Sequence, residues 1–220
     1  MRRLNMLVIL TAIAVVTFSI SAYGMSMLPT MMDTDNIKVG SWVKYMQTTN
    51  NHKMVMWIGA VGEQTINGKR YLWMEMRTTI KNKKMISKVL MRYSLTKHII
   101  EVKRIIFKQD GKPAMELPPE MAAMAGSMIT PVSPTKGKKA KIEDLGTQTI
   151  TVPAGTFRAK HIKIIGEGYT EIWESNKVPF GIVKARSSGG ETTTLLGYGS
   201  DAKTAITEKP QVLKIPVKMQ

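Results

Sequence analysis

The sequence predicts a mainly β protein: a single curved antiparallel sheet (an incomplete barrel) with one or two short helices, preceded by a signal peptide. Three observations predict it. Segments rich in Val, Ile, Thr, Tyr and Trp recur about every ten residues. Turn pairs such as Asn67-Gly68 and Asp110-Gly111, each of which predicts a type I′ turn, separate several of these segments. The chain also opens with basic residues followed by a short apolar stretch.

The N-terminal segment has the order of a secretory signal. Arg2 and Arg3 precede an uncharged stretch from Leu4 to Gly24, whose apolar part is Met6 to Val16. A membrane-spanning helix needs about 20 apolar residues, and this stretch is short and breaks into Ser and Gly, which favours cleavage over an uncleaved anchor. We therefore expect residues 1–24 to be a signal peptide, cleaved near Gly24, and the mature protein to reside in the periplasm.

Composition narrows the class of protein. The chain has 220 residues, no Cys and a net charge of +16. The missing Cys excludes disulfides and a lipid-modified N-terminal Cys. Such a charge in a cytoplasmic protein would indicate nucleic acid, but the export signal argues against that partner. A solvated cationic surface or contact with an anionic membrane surface are the alternatives that remain.

The remaining chain is predicted to be one β domain over residues 36–201. A flexible leader precedes it over residues 25–35, and an extended C-terminal tail with Pro210 and Pro216 follows over residues 202–220. Strands are predicted over residues 39–48, 53–63, 70–80, 85–93, 99–109, 141–152, 156–165, 169–174, 180–187 and 192–198.

The middle of the domain departs from the β pattern. Pro119 followed by Ala and Met residues predicts a short helix that Gly126 ends. Thr130 to Lys141 mixes prolines, a glycine and lysines, which is typical of an exposed loop.

Several predicted strands are apolar on both sides. Met54 and Met56 share one face, opposite Trp57; Met74 and Met76 share one face, opposite Trp73. This pattern fits a sheet covered on both faces, or a curved sheet whose concave side is a hydrophobic cavity. Met packs adaptably against either a core or a ligand, so both alternatives stay open.

Three segments carry a family resemblance. They are Val39 to Tyr45, the hairpin Thr151 to Phe157, and Trp173 to Lys184 with its Val178-Pro179-Phe180-Gly181 turn. Together they resemble uncharacterised bacterial exported proteins related to the periplasmic lipoprotein-carrier (LolA/LolB-like) superfamily. The resemblance covers about residues 36–199. It implies an incomplete barrel whose cavity holds a lipid or a lipoprotein acyl chain.

Known catalytic and metal patterns are missing from the sequence. There is no Cys nucleophile, no G-x-S-x-G and no H-E-x-x-H, and His52, His98 and His161 lie in unrelated contexts. His161 is expected to be a packed or half-exposed histidine. Some Glu residues could form the carboxylate pair of a glycoside hydrolase, but no sequence pattern around them supports that role. We therefore expect no enzyme activity, no cofactor and no metal site.

A row of methionines is the one sequence pattern that could form a binding site for a soft metal ion. Met121, Met124 and Met128 follow one another at i, i+3 and i+7 on the predicted helix. Thioethers select Cu(I), but an apolar stripe at this spacing usually packs a helix on its sheet. The same stripe suits the inner side of a cavity lid.

The sequence thus predicts a periplasmic, non-enzymatic binding protein that holds a hydrophobic ligand. The alternatives are an envelope module with a filled core that binds another protein, and a copper carrier. The predicted ligand-binding residues are Met54, Met56, Trp57, Trp73, Met74, Met76, Met121, Met124 and Met128. The residues predicted to contact anionic lipid at the mouth are Lys136, Lys138, Lys139 and Lys141.

Overall fold

A computed structural model describes residues 34–49, 52–80, 83–94, 99–128, 141–166 and 168–213. The predicted signal peptide and most of the predicted leader lie outside these residues. The described elements are β1 Trp42–Thr48, β2 Lys53–Ile66, β3 Lys69–Ile80, β4 Lys83–Ser94, β5 Ile99–Gln109, β6 Met115–Glu116, α1 Pro119–Met128, β7 Lys141–Val152, β8 Gly155–Ile165, β9 Tyr169–Glu174, β10 Ile182–Ser187, β11 Thr192–Gly199 and β12 Gln211–Val212.

The strands form one open, curved sheet. Their order is β12-β6-β5-β4-β3-β2-β1-β11-β10-β9-β8-β7, so β12 and β7 are the two edges. All described neighbours pair antiparallel except β12, which runs parallel to β6. The prediction of a mainly β fold with a single curved antiparallel sheet is confirmed. The predicted strand segments match described strands, whereas the two-residue strands β6 and β12 had no pattern to predict them.

Two turns show how far the local sequence determines turn geometry. Asn67 and Gly68 both have positive φ, 50° and 72°, which is the type I′ geometry predicted for the β2–β3 hairpin. At Asp110-Gly111 the prediction of a type I′ turn is wrong: only Gly111 has positive φ, 70°. Lys112 N–H donates to the Gln109 carbonyl, so glycine occupies the third position, as in a type II turn.

One face of the sheet, here called the inner face, holds the main core. Residues paired across antiparallel strands share a face, as Tyr45 and Met56 do. Met74 of β3 belongs to the same buried cluster as Ile172 of β9 and Val183 of β10, although three strands lie between β3 and β10 and four between β3 and β9. Because side chains of remote strands meet there, this face lies inside the curve of the sheet.

Helix α1 packs on the part of the sheet formed by β4 and β5. Ala122 is fully buried in a cluster with Val102, Ile105 and Val89. A Cβ added at Gly126 would lie 2.9 Å from Cβ of Val102, so only glycine permits this approach. The prediction that Gly126 ends the helix is therefore wrong: the helix continues to Met128.

The opposite, outer face is crossed by residues 200–213, here called the C-terminal strap. Asp201 accepts a hydrogen bond from Trp42 Nε1 at 2.6 Å, and Ile206 packs in a buried cluster with Ile106 and Ala114. The strap ends as β12 beside β6. The described part of the predicted C-terminal tail is thus extended but bound to the sheet, and it covers the outer face near Trp42 and Trp73.

Candidate binding surfaces

The predicted ligand-lining residues of β2 and β3 divide between the two faces. Met56 and Met74 are each 6% exposed in the core of the inner face, and Met76 packs against that core. Met54 pairs with Gln47 on the same face. Trp57 pairs with Lys44, and Trp73 with Leu90, both on the outer face. The structure therefore does not bring the tryptophans and methionines to a common site.

The core of the inner face is built by both halves of the sheet and by the turn before β10. Phe180 and Val178 of that turn pack into the core. Phe180 has φ of 65°, a conformation that costs a non-glycine residue about 1–2 kcal/mol and persists here because the ring is buried. Tyr45 Oη donates to the Ile182 carbonyl at 3.0 Å, and burial raises the pKa of Tyr45. Aromatic and aliphatic side chains thus interlock across the curve.

The predicted methionine stripe does not act as one face of α1. Met121 packs beside the cluster that contains Ala122, whereas Met124 is 52% exposed. The side chain of Met128 lies outside the described residues. Ala122 and Gly126 make the close approach to β5, because small side chains let a helix lie flat on a strand. This helix packs on the sheet, and Met124 points away from the packed side.

The outer-face tryptophans lie in cation–aromatic contacts. The guanidinium of Arg77 sits 3.8 Å from the ring centroid of Trp57, which also stacks on Trp42 at 6.4 Å. Lys88 and Arg104 approach the ring of Trp73 at 5.0 and 5.1 Å. Such contacts are worth about 0.5–2 kcal/mol each, so these rings have a structural role under the strap.

His161 lies in a polar cluster that sequence reasoning did not assemble. Its ring stacks on Trp173 at 4.2 Å, and its Nδ1 lies 2.7 Å from Nε2 of Gln148. Its Nε2 is 3.6 Å from Glu171, which accepts a hydrogen bond from Arg186 at 2.6 Å. Burial raises the pKa of Glu171, but Arg186, with His161 and Lys163, holds that pKa below its ordinary value. The expectation of a packed, half-buried histidine agrees with this environment.

The described residues offer little to a metal ion or an anion. Among the residues that the structure describes, no three His, Cys, Asp or Glu side chains are placed to hold a metal ion. Of the four lysines predicted at a cavity mouth, Lys136, Lys138 and Lys139 lie outside the described residues. Lys141 is the first residue of β7 and forms an ion pair with Glu143 at 2.8 Å. No helix in the described ranges is long and apolar enough to cross a membrane.

Comparisons with known proteins find likeness in structure alone. No protein-family model matches the sequence, and no curated protein matches it. A predicted lipoprotein of Parabacteroides distasonis aligns with TM-score 0.38 and 13% identity over 74% of this chain and 96% of its own. A predicted exported protein of Bacteroides fragilis with a YmcC-like fold aligns with TM-score 0.34 and 11% identity over 74% and 97%.

A third similar structure is the MucA/MucB complex of Pseudomonas aeruginosa. It aligns with TM-score 0.38 and 9% identity over 82% of this chain, which spans 58% of the matched chain. At these TM-scores none of these structures carries an argument about function.

Proposed function

We propose that this chain is an exported, non-enzymatic binding module of the bacterial envelope, whose inner face is a filled core and whose partner is a protein bound at the surface. The observation that carries the proposal is the interlocked core of the inner face. Leu72 and Leu195 are fully buried there, and Met56, Met74 and Phe180 are each less than a tenth exposed.

The inner core favours this module over the lipid carrier that the family resemblance implies. An acyl chain needs a cavity of about 300 Å³ or more, lined by side chains that turn toward it. Here Met56 and Met74, which would line such a cavity, are buried in one cluster with Ile172 of β9 and Val183 of β10. Opening that space would expose buried apolar surface at about 25 cal/mol per Å².

Export is the second part of the proposal. The order of basic, apolar and small residues before Gly24 supports secretion, and the net charge of +16 suits an envelope rich in anionic groups. The copper-carrier alternative draws no support from α1, because Met121 and Met124 differ in direction and burial.

Native mass spectrometry, with lipid extraction, tests the proposal on protein purified without detergent from a periplasmic fraction. We expect a mature mass beginning near Met25, with no bound lipid and no uptake of added phosphatidylglycerol or palmitate. Stoichiometric lipid on the purified protein, or saturable uptake afterwards, would overturn the filled-core module in favour of a carrier.

A further inference from the structure

The β7 edge is the long open edge of the described sheet. The strand runs over Lys141–Val152, 12 residues, and β8 is its only strand neighbour in the described ranges. The opposite edge ends in β12, a strand of two residues. Alternate residues of an edge strand turn their backbone N–H and C=O groups away from the sheet, where a further strand can pair with them.

A bulge divides this edge into two unlike halves. The β7–β8 register shifts between Asp144 and Thr147, where Gly146 has φ of 85°. Before the bulge, Lys141, Glu143 and Asp144 place charges on the edge. After it, Thr147–Val152 has neither charge nor proline. Charges and prolines are what natural edges use against pairing, so the second half is open to strand addition.

The two sides of this open half differ in chemistry. Thr147, Thr149 and Thr151 lie opposite Lys160, Arg158 and Thr156 of β8. On the other side, Ile150 lies opposite Phe157, and both contact the core. A strand added beside β7 therefore has basic neighbours on one side and apolar neighbours on the other.

Charge selects the occupant of the edge. Lys160 is paired with Asp144 at 3.1 Å. Arg158 is exposed, and no ion pair to it is found among the residues that the structure describes. A long Arg side chain reaches diagonally to the next strand but one and attracts a carboxylate there. A second copy of this chain is a poor occupant, because each copy carries a net charge of +16.

We propose that Thr147–Val152 binds, by antiparallel or parallel strand addition, an extended segment of a partner protein in which acidic residues alternate with apolar residues. Main-chain hydrogen bonds to β7 supply the affinity. The basic side of the β7–β8 hairpin selects acidic residues and its apolar side selects apolar residues, so the two alternate along the bound segment. This assignment rests on the proposed function, since it names where and what that surface module binds.

The test uses two eight-residue peptides, one alternating Glu with Val and one alternating Lys with Val, on the full mature protein already shown to be lipid-free. We expect the Glu peptide alone to bind and to protect the outward-turned backbone amides within residues 147–152 from hydrogen exchange. Arg158→Glu should weaken its binding about fivefold, while Lys112→Glu, at the exposed turn before β6, should leave it unchanged.

Thr149→Glu is a second variant, which keeps the test decisive should Arg158→Glu fold poorly. It should weaken binding of the Glu peptide by a similar factor. Equal binding of both peptides, equal effects of the Arg158 and Lys112 variants, or protection outside residues 147–152 would overturn the assignment. A dimer that dissociates on Thr149→Glu in sedimentation velocity would do so as well, by showing a second copy as the occupant. These failures leave the proposed function standing, because only bound lipid overturns that.

Discussion

Thr204 donates a hydrogen bond to the Glu75 carboxylate at 2.6 Å, although 129 positions separate the two residues. Glu75 is fully buried, and it also accepts from the Ala205 N–H at 3.0 Å and from Arg77 Nε at 2.7 Å. A carboxylate removed from water is tolerated only when partners satisfy it. The buried acid on β3 therefore anchors the C-terminal strap to the outer face.

Thr204→Val tests this anchor. The variant keeps the side-chain shape but removes one donor from a buried charge, so we expect the free energy of unfolding to fall by about 1–3 kcal/mol. Thr79→Val, at an exposed position of the same β3, is the matched control and should change it by less than about 0.5 kcal/mol. Urea denaturation measures both, and equal effects would contradict the anchor.

Gly126→Val tests the close packing of α1. The added side chain meets Val102 at a distance that real Cβ atoms do not adopt, so the helix must shift. We expect a loss of about 1–3 kcal/mol of stability. Ala123→Val places the same residue on the exposed side of α1 and should cost at most about 0.7 kcal/mol through helix propensity. Should the two variants unfold at the same urea concentration, the packing of α1 on β5 is wrong.

Leu195→Ala tests the core of the inner face. Leu195 is fully buried in β11, so its truncation should cost about 2–5 kcal/mol. Leu145→Ala makes the same chemical change at a side chain that is 47% exposed in β7, and we expect a change below about 0.5 kcal/mol. Thermal and urea unfolding of both variants check the comparison. A small effect at Leu195 would mean that the inner face is loosely packed.

Tyr71 predicts a dependence of stability on alkaline pH. Burial, then the hydrogen bond to Glu101, raises the pKa of Tyr71 from 10.0 to about 12. A tyrosine that holds its proton more firmly when folded contributes stability that is complete below pH 10.0 and is lost as pH rises toward about 12. Between pH 9 and pH 11 the wild type should therefore lose about 1.4 kcal/mol relative to Tyr71→Phe.

Urea unfolding of the two proteins at both pH values measures that difference. Tyr198→Phe, at an exposed ring of β11, is the matched control for general alkaline effects. A gap between wild type and Tyr71→Phe that stays constant from pH 9 to pH 11 would contradict the raised pKa.

Much of the fold is local in origin and follows from the sequence. Alternation of apolar residues predicts the long strands, and Asn67-Gly68 forms its turn because asparagine and glycine both tolerate positive φ. The strap is different. Residues 200–213 show no strand alternation, and their position depends on Glu75, Trp42 and Ile106, which lie remote in the sequence. No local pattern encodes such contacts.

The candidate ligand site was harder to predict than the fold. Alternation correctly separates Met56 from Trp57 and Met74 from Trp73, but it does not say which side faces inward. The same limit applies to the helix. Its methionines Met121, Met124 and Met128 were predicted to form the functional face because of their residue type. The close contact with β5 is made by Ala122 and Gly126, because these residues are small. The uncharged run Thr147–Val152 was visible in the sequence, but only the strand order shows that it lies at an edge.

The central claim, a filled inner face, is tested most directly by methyl NMR of the methionines during a titration with palmitate. Signals of Met56 and Met74 are assigned by substituting each in turn with Leu. If the inner face is filled, neither signal shifts as palmitate is added. A saturable shift of both signals, at one palmitate per protein, would contradict a filled inner face and establish a ligand cavity between β2, β3 and the facing strands.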